Sequence, residues 1–220
     1  MAIIHRTTLT PTKLELLASW LPTRPWYAGG PAAPDLTKAG GFRLDDPEGE
    51  VGIEFMVATD TSGAAPVHYL APLTYRGAPL PGAEHALVGT TEHGVLGIRW
   101  VYDGIHDPVL VTQLLALFAG KAEPQAQSLT DTPDHEITHS YDGDDPLPTT
   151  ASPPADTAEA SELPLTSGAT TLHLNRVLHP DALDLPPQTK GQLTGHWTLP
   201  DDTRARGIFA VLRANPVGLH

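Results

Sequence analysis

Three consecutive strand-like segments constrain the fold of this chain more than any other feature of its sequence. They read "VGIEFMVATD", "VHYLAPLTYRG" and "HALVGTTEHGVLGIRWVYDG", and all three are rich in the β-branched and aromatic residues that favour strands. The third segment contains its own turn near Thr91 to Gly94, which is typical of a β-hairpin. Successive strands with short connections pair with their neighbours in opposite directions, so we predict an antiparallel sheet from Gly41 onward.

Two short helices flank these strands in the sequence. The first is predicted to begin with Thr10 as its N-cap and to end at Pro22, and its apolar residues Leu14, Leu17, Ala18 and Leu21 share one face. The second is marked by Asp107 as N-cap, a proline at the first helical position, the apolar run "VLVTQLLALF" and Gly120 as terminator. A sheet packed by two such helices belongs to the α+β class.

The composition changes sharply after the second helix, and the chain is predicted to divide there. Residues 1–122 form the α+β domain, whereas residues 123–167 are dominated by Pro, Thr, Ser, Ala and acidic residues and predict a flexible linker. Residues 168–220 regain a strand pattern, and "GQLTGHWTLPDDTRARGIFAVLR" predicts two strands joined near Pro200 to Asp202. These terminal strands either form a separate β unit or complete the first sheet.

Charge and composition limit the partners of the chain. Its 220 residues are 40% hydrophobic, enough for a packed core, and its formal net charge of −13 disfavours binding to nucleic acid or to an anionic membrane. The absence of cysteine excludes disulfides and thiolate metal sites. No apolar run resembles a signal peptide or a membrane span, so we expect a cytoplasmic protein.

The sharpest local motif is "HEITH", in which His135, Glu136 and His139 have the spacing of zinc proteases. That chemistry requires a helix, which places both imidazoles on one face beside the general base. Here Pro133 precedes the motif, two β-branched residues lie inside it, and the predicted linker surrounds it. A zinc site is therefore the weaker interpretation, and we expect no cofactor.

The remaining motifs give weaker evidence for a metal, nucleotide or catalytic site. The acidic residues Asp142, Asp144 and Asp145 begin like a calcium loop, but proline and leucine occupy positions where ligands and glycine are needed. No phosphate-binding loop of the GxxxxGK[ST] or GxGxxG type and no GxSxG nucleophile motif is present. The strand region carries several histidines that either converge on a metal or serve as ordinary surface or hydrogen-bonded residues; these are His68, His85, His93 and His106.

An aromatic cluster follows the first helix, in the stretch "WLPTRPWYAGG". Trp20, Trp26 and Tyr27 are candidate ligand-binding residues, because aromatic rings held by prolines can stack on a sugar or a base. The same rings could instead pack the first helix against the sheet, and we favour that interpretation.

The stretches "WLPTRPWYAGG", "HYLAPLTYRG", "ALVGTTEHG" and "WVYDGIHDPVLVTQLLALF" together resemble the N-terminal cap region of bacterial maltokinases and related sugar kinases. The resemblance covers about residues 1–120 and implies a relation to enzymes that phosphorylate maltose with ATP in trehalose and α-glucan metabolism. It also implies that "TTLHLNRVLHP" corresponds to the kinase strand that carries the ATP-binding lysine, with His173 in the position of that lysine. An imidazole is shorter than a lysine and mostly neutral at pH 7, so it grips phosphates poorly.

The resemblance further implies that this chain is not a complete kinase. The sequence ends at His220, before the lobe that supplies the catalytic and metal-binding carboxylates, and in "HPDALDLP" Pro186 occupies the place of a required asparagine. We therefore expect a non-catalytic cap with a partial N-lobe that partners a carbohydrate-metabolism enzyme or kinase. The alternatives are one half of a split sugar kinase, a carbohydrate-binding module and a zinc hydrolase.

Overall fold

A computed structural model describes residues 9–127, 132–143, 146–166 and 168–215. Within these ranges the chain forms fourteen strands and two α-helices, joined by short 3-10 turns. The strands are β1 (Leu9–Thr10), β2 (Leu36–Leu44), β3 (Gly52–Asp60), β4 (Val67–Arg76), β5 (Leu87–His93), β6 (Gly97–Asp103), β7 (Gln125–Ala126), β8 (Thr138–Tyr141), β9 (Ala155–Asp156), β10 (Ala160–Pro164), β11 (Thr170–Asn175), β12 (Val177–Leu178), β13 (Thr189–Thr198) and β14 (Arg204–Ala214). The helices are α1 (Lys13–Trp20) and α2 (Pro108–Phe118), and neither is long and apolar enough to span a membrane.

All fourteen strands belong to one antiparallel sheet. The main order is β1-β5-β6-β4-β3-β2-β13-β14-β11-β10-β9, with β12 beside β4, β7 beside β2 and β8 beside β13. The terminal strands therefore join the first sheet: Trp197 of β13 lies opposite Gly40 of β2, and Val177 of β12 lies opposite Tyr69 of β4. The predicted hairpin is present as β5 and β6, but its turn lies between His93 and Gly97, and Thr91 of the predicted turn belongs to β5.

The central strands are buried on both faces because alternate residues enter two different cores. In β3, Phe55 and Val57 pack with α2 in the larger core, whereas Met56 and Ala58 pack with α1 in the smaller one. The larger core continues into the terminal strands, since it also contains Trp197. The observed architecture is thus largely β with two short helices, so the α+β class is confirmed only in part.

The helix boundaries agree with local capping chemistry. Asp107 caps α2, because its carboxylate accepts a hydrogen bond from the Val109 N–H at 3.0 Å. The cap of α1 is Thr12 rather than the predicted Thr10: Thr12 and Glu15 form a reciprocal capping box, and Thr10 instead lies in β1.

The predicted flexible linker is confirmed only in part. Strands β7, β8, β9 and β10 all lie within residues 123–167, and Leu163 and Leu165 are fully buried in the larger core. Backbone pairing orders these strands with few large apolar side chains, which is why composition alone was misleading. Residues 128–131, 144–145 and 167 of the predicted linker lie outside the described residues.

Candidate functional site

The aromatic cluster after α1 forms a packed corner. The rings of Trp20 and Trp26 meet edge to face with centroids 5.5 Å apart, and only 1% of Trp26 is exposed. Tyr27 stacks on Tyr69 at 5.7 Å and donates its hydroxyl proton to Asp60 over 3.0 Å. Packing against the smaller core accounts for all three predicted residues, while ligand binding by them stays a prediction.

A buried ion pair lies beneath this corner. One guanidinium nitrogen of Arg176 donates to both carboxylate oxygens of Asp103, at 2.9 and 2.7 Å, and both side chains are at most 1% exposed. The Nε of Arg176 donates to Ser161 at 2.7 Å, and the guanidinium lies 5.0 Å from the centroid of the Trp26 ring. Since Asp103 ends β6 and Arg176 follows β11, the pair joins the terminal strands to the first sheet.

The "HEITH" motif is not helical. His135 and Glu136 occupy a turn, and His139 lies in β8, so the geometry required for a zinc protease is absent. Glu136 is engaged elsewhere, because its carboxylate pairs with Arg204 and its carbonyl accepts a hydrogen bond from His196 Nδ1 at 3.0 Å. His135 and His139 do line a common cleft of about 480 Å³, but no cluster of three metal-binding side chains occurs among the residues that the structure describes.

Of the acidic residues that resemble a calcium loop, Asp142 follows β8, and Asp144 and Asp145 lie outside the described residues. The histidines of the strand region do not converge on one point. Nε2 of His85 lies 3.1 Å from Nδ1 of His106. His68 is buried and hydrogen-bonded to the Thr59 hydroxyl, and Nδ1 of His93 accepts a hydrogen bond from the Leu96 N–H within the hairpin turn. Burial lowers the pKa of His68 and of His106.

A second cleft, which we call the β2–β13 cleft, opens where these two strands part. Among the described residues they pair only at Gly40 and Trp197, so the sheet separates on either side of that bridge. A Cβ atom at Gly40 would lie 3.2 Å from Trp197 Cα, so glycine at this position allows the close approach of the two backbones. The next glycine, Gly41, has φ +122°, and a Cβ there would instead meet the carbonyl oxygen of Phe55 in β3. The cleft encloses about 350 Å³ and is lined by Lys38, Ala39, Gly40, Gly41, Ala126, Gln127, Asp134, Glu136, Ile137, His196 and Arg204.

The lining of the β2–β13 cleft presents both hydrogen-bond donors and acceptors. His196 donates through Nδ1 to a carbonyl, so its Nε2 remains an acceptor in the neutral ring. Gln127 donates through its amide nitrogen to the buried Glu54 at 3.1 Å. Burial alone would raise the pKa of Glu54, but the charge and hydrogen bond of Lys13 lower it overall. This mixture suits a small polar ligand, and its volume lies within the ~300–1,000 Å³ typical of ligand pockets.

Sequence reasoning missed this cleft. Its walls come from β2, β13, β14 and the former linker, which are far apart in the chain. The adjacent glycines 40 and 41 were the available local signal, since paired glycines inside a strand indicate a bulge or a close approach of two backbones.

Comparison with known proteins bears on the first half of the chain. Residues 20–107 match the family model described as the maltokinase N-terminal cap domain, which confirms the resemblance over strands β2 to β6 and the aromatic corner. No curated protein matches the chain.

Proposed function

With a maltokinase N-terminal cap domain at residues 20–107 as the premise, we propose that this chain is a non-catalytic cap-like module. It acts in the cytoplasm, in α-glucan (glycogen) or trehalose metabolism, by associating with a carbohydrate enzyme or a kinase. The observation that carries the non-catalytic part of the proposal is the environment of His173, which the sequence resemblance places where a kinase has its ATP-binding lysine.

His173 offers no cation to a nucleotide at neutral pH. It lies in β11, where its Nδ1 is 3.2 Å from the carboxylate of Glu162. Burial lowers the pKa of His173, and the charge of Arg213 adds to this effect, while Glu162 opposes it without reversing it. A neutral imidazole that is already partnered cannot pair with α- and β-phosphates as an ammonium does.

The integration of the terminal strands supports a role in association. They extend the cap sheet through β12 and β13, and the buried ion pair of Arg176 and Asp103 locks them to it. The described residues therefore form one continuous sheet, as expected of a module that a partner recognises by its surface.

Two assays test this function. The purified chain, incubated with MgATP and maltose, is expected to yield no maltose phosphate or ADP above a protein-free control. Tagged chain incubated with extract of native cells is expected to retain a carbohydrate enzyme or kinase that excess untagged chain displaces. Turnover by the purified chain alone would overturn the non-catalytic assignment, and a retained kinase that becomes active only in the complex would indicate half of a split enzyme instead.

Carbohydrate binding is a second candidate, favoured by the mixed polar lining of the β2–β13 cleft. Trp197 lies against Gly40 at this cleft, so its fluorescence provides a direct readout. Titration with maltose is expected to give a saturable change that Gly40→Val weakens, because the new side chain would meet the backbone of His196 and Trp197 and push β2 and β13 apart at the cleft. A linear response, or one unchanged in that variant, would exclude binding at this position.

A further inference from the structure

Two histidines from separate turns meet beside the start of α2. His85 lies in the 3-10 turn Glu84–Ala86, and His106 lies in the 3-10 turn Gly104–His106. Nε2 of His85 is 3.1 Å from Nδ1 of His106, and the two rings meet edge to face with their centroids 4.8 Å apart. Each histidine has a neighbour in its own turn that is only 1% exposed. Packing of these neighbours holds the two imidazoles close together.

The separation of the two nitrogens matches that of two imidazoles bound to one metal ion. Imidazole nitrogens lie about 2.0–2.1 Å from Zn²⁺. Two such nitrogens are about 2.9 Å apart when they subtend a right angle at the ion, and about 3.3 Å apart at the tetrahedral angle. The observed 3.1 Å lies between these values. Chelation therefore requires the two lone pairs to turn towards a common point, with little change in the distance between the nitrogens.

The charges around the pair favour neutral imidazoles and a bound cation. Burial lowers the pKa of His106, and the charges of His85 and Arg176 lower it further. Asp103 and Asp156 oppose this shift without reversing it. In the neutral pair one ring donates a proton to the other, and a change of tautomer in the donor ring leaves two lone pairs at the contact. Since Arg176 and Asp103 neutralise each other, Asp156 contributes a net negative charge that attracts a cation.

We propose that His85 and His106 together bind one divalent transition-metal ion of the class to which Zn²⁺ belongs. Imidazole suits Zn²⁺, Cu²⁺ and Ni²⁺, whereas Mg²⁺ and Ca²⁺ prefer oxygen ligands. No group of three metal-binding side chains occurs in the described part of the chain, so water completes the coordination. His85 is exposed, which gives the ion direct access from solvent. The site is separate from the β2–β13 cleft, whose lining includes neither histidine.

Zinc titration of the full chain tests this site. The metal-free protein is titrated with ZnCl₂ near neutral pH by isothermal titration calorimetry, in a buffer that does not chelate metals. His85→Asn is expected to weaken zinc binding by roughly tenfold or more, because the chelate loses one of its two protein ligands. His106→Asn and the double variant should show a similar loss. His179→Asn serves as the control, since His179 is also exposed but lies beside the carboxylate of Glu159, and it should bind zinc as the wild type does.

Chemical modification locates the ion among the eleven histidines of the chain. Diethyl pyrocarbonate acylates free imidazole nitrogens, and peptide mass spectrometry gives the rate at each histidine. Zinc is expected to slow the modification of His85 several-fold and to leave the rate at His179 unchanged, whereas excess Mg²⁺ should protect neither. Zinc affinity that is unchanged in His85→Asn would show that the two rings form only a hydrogen-bonded pair. Protection of other histidines without His85 would place the ion elsewhere, and either result would overturn the proposal.

Discussion

Replacing Arg176 by methionine should destabilise the protein more than any change on its surface. The substitution keeps much of the side-chain length but leaves the Asp103 carboxylate, 1% exposed, without the two hydrogen bonds of 2.9 and 2.7 Å that compensate its burial. Removing one partner of a buried ion pair costs about 3–5 kcal/mol, because the remaining charge cannot reach water. The lost bond to Ser161 adds about 1 kcal/mol, so we expect the free energy of unfolding to fall by roughly 4–6 kcal/mol.

Urea denaturation followed by tryptophan fluorescence measures this loss. Arg204→Met is the matched control, since Arg204 also pairs with a carboxylate, that of Glu136, but these two side chains are 44% and 59% exposed. An exposed pair contributes about 1 kcal/mol or less, so the control should unfold close to the wild type. The double variant Arg176→Met with Asp103→Leu should recover part of the stability, because neither charge is then left alone. A loss in Arg176→Met that equals the loss in Arg204→Met would refute the role of this pair.

Three smaller perturbations follow from local geometry, each measured by chemical denaturation. Burial lowers the pKa of His68 and of His106 below the ordinary value of 6.5, so near that pH the unfolded chain binds more protons than the folded chain. The free energy of unfolding should therefore fall as the pH drops below about 6.5, and a free energy that stays constant from pH 7 down to pH 5 would contradict this. Gly41→Ala should cost more than about 1 kcal/mol, because its backbone is left-handed and the new Cβ would lie 2.0 Å from the Phe55 carbonyl oxygen; an unchanged midpoint would refute the strain. Thr12→Ala should cost about 1 kcal/mol by opening the capping box of α1, whereas Ser at this position should be neutral.

The candidate site shows where sequence reasoning stopped. Residues 20 to 30 already indicated an aromatic packing corner, because prolines, glycines and large rings within eleven residues need no distant partner to be recognised. The "HEITH" spacing was recognisable too, but its meaning depended on a helix that the structure does not form. The sequence did not single out Lys38, because a single lysine in a strand is uninformative until its spatial neighbours are known.

The sequence by itself determined the features that depend on neighbouring residues: strands β3 to β6, the hairpin turn, and helix α2 with its Asp107 cap and Gly120 terminator. Only the tertiary structure decided that β13 pairs with β2, that the Pro- and Ser-rich segment supplies strands, and that Arg176 meets Asp103 from 73 positions away. Periodicity and capping arise from contacts within a few residues, so they are visible in a single chain. Strand register and buried ion pairs arise from the free energy of the whole core, in which residues distant in sequence compete for the same partners.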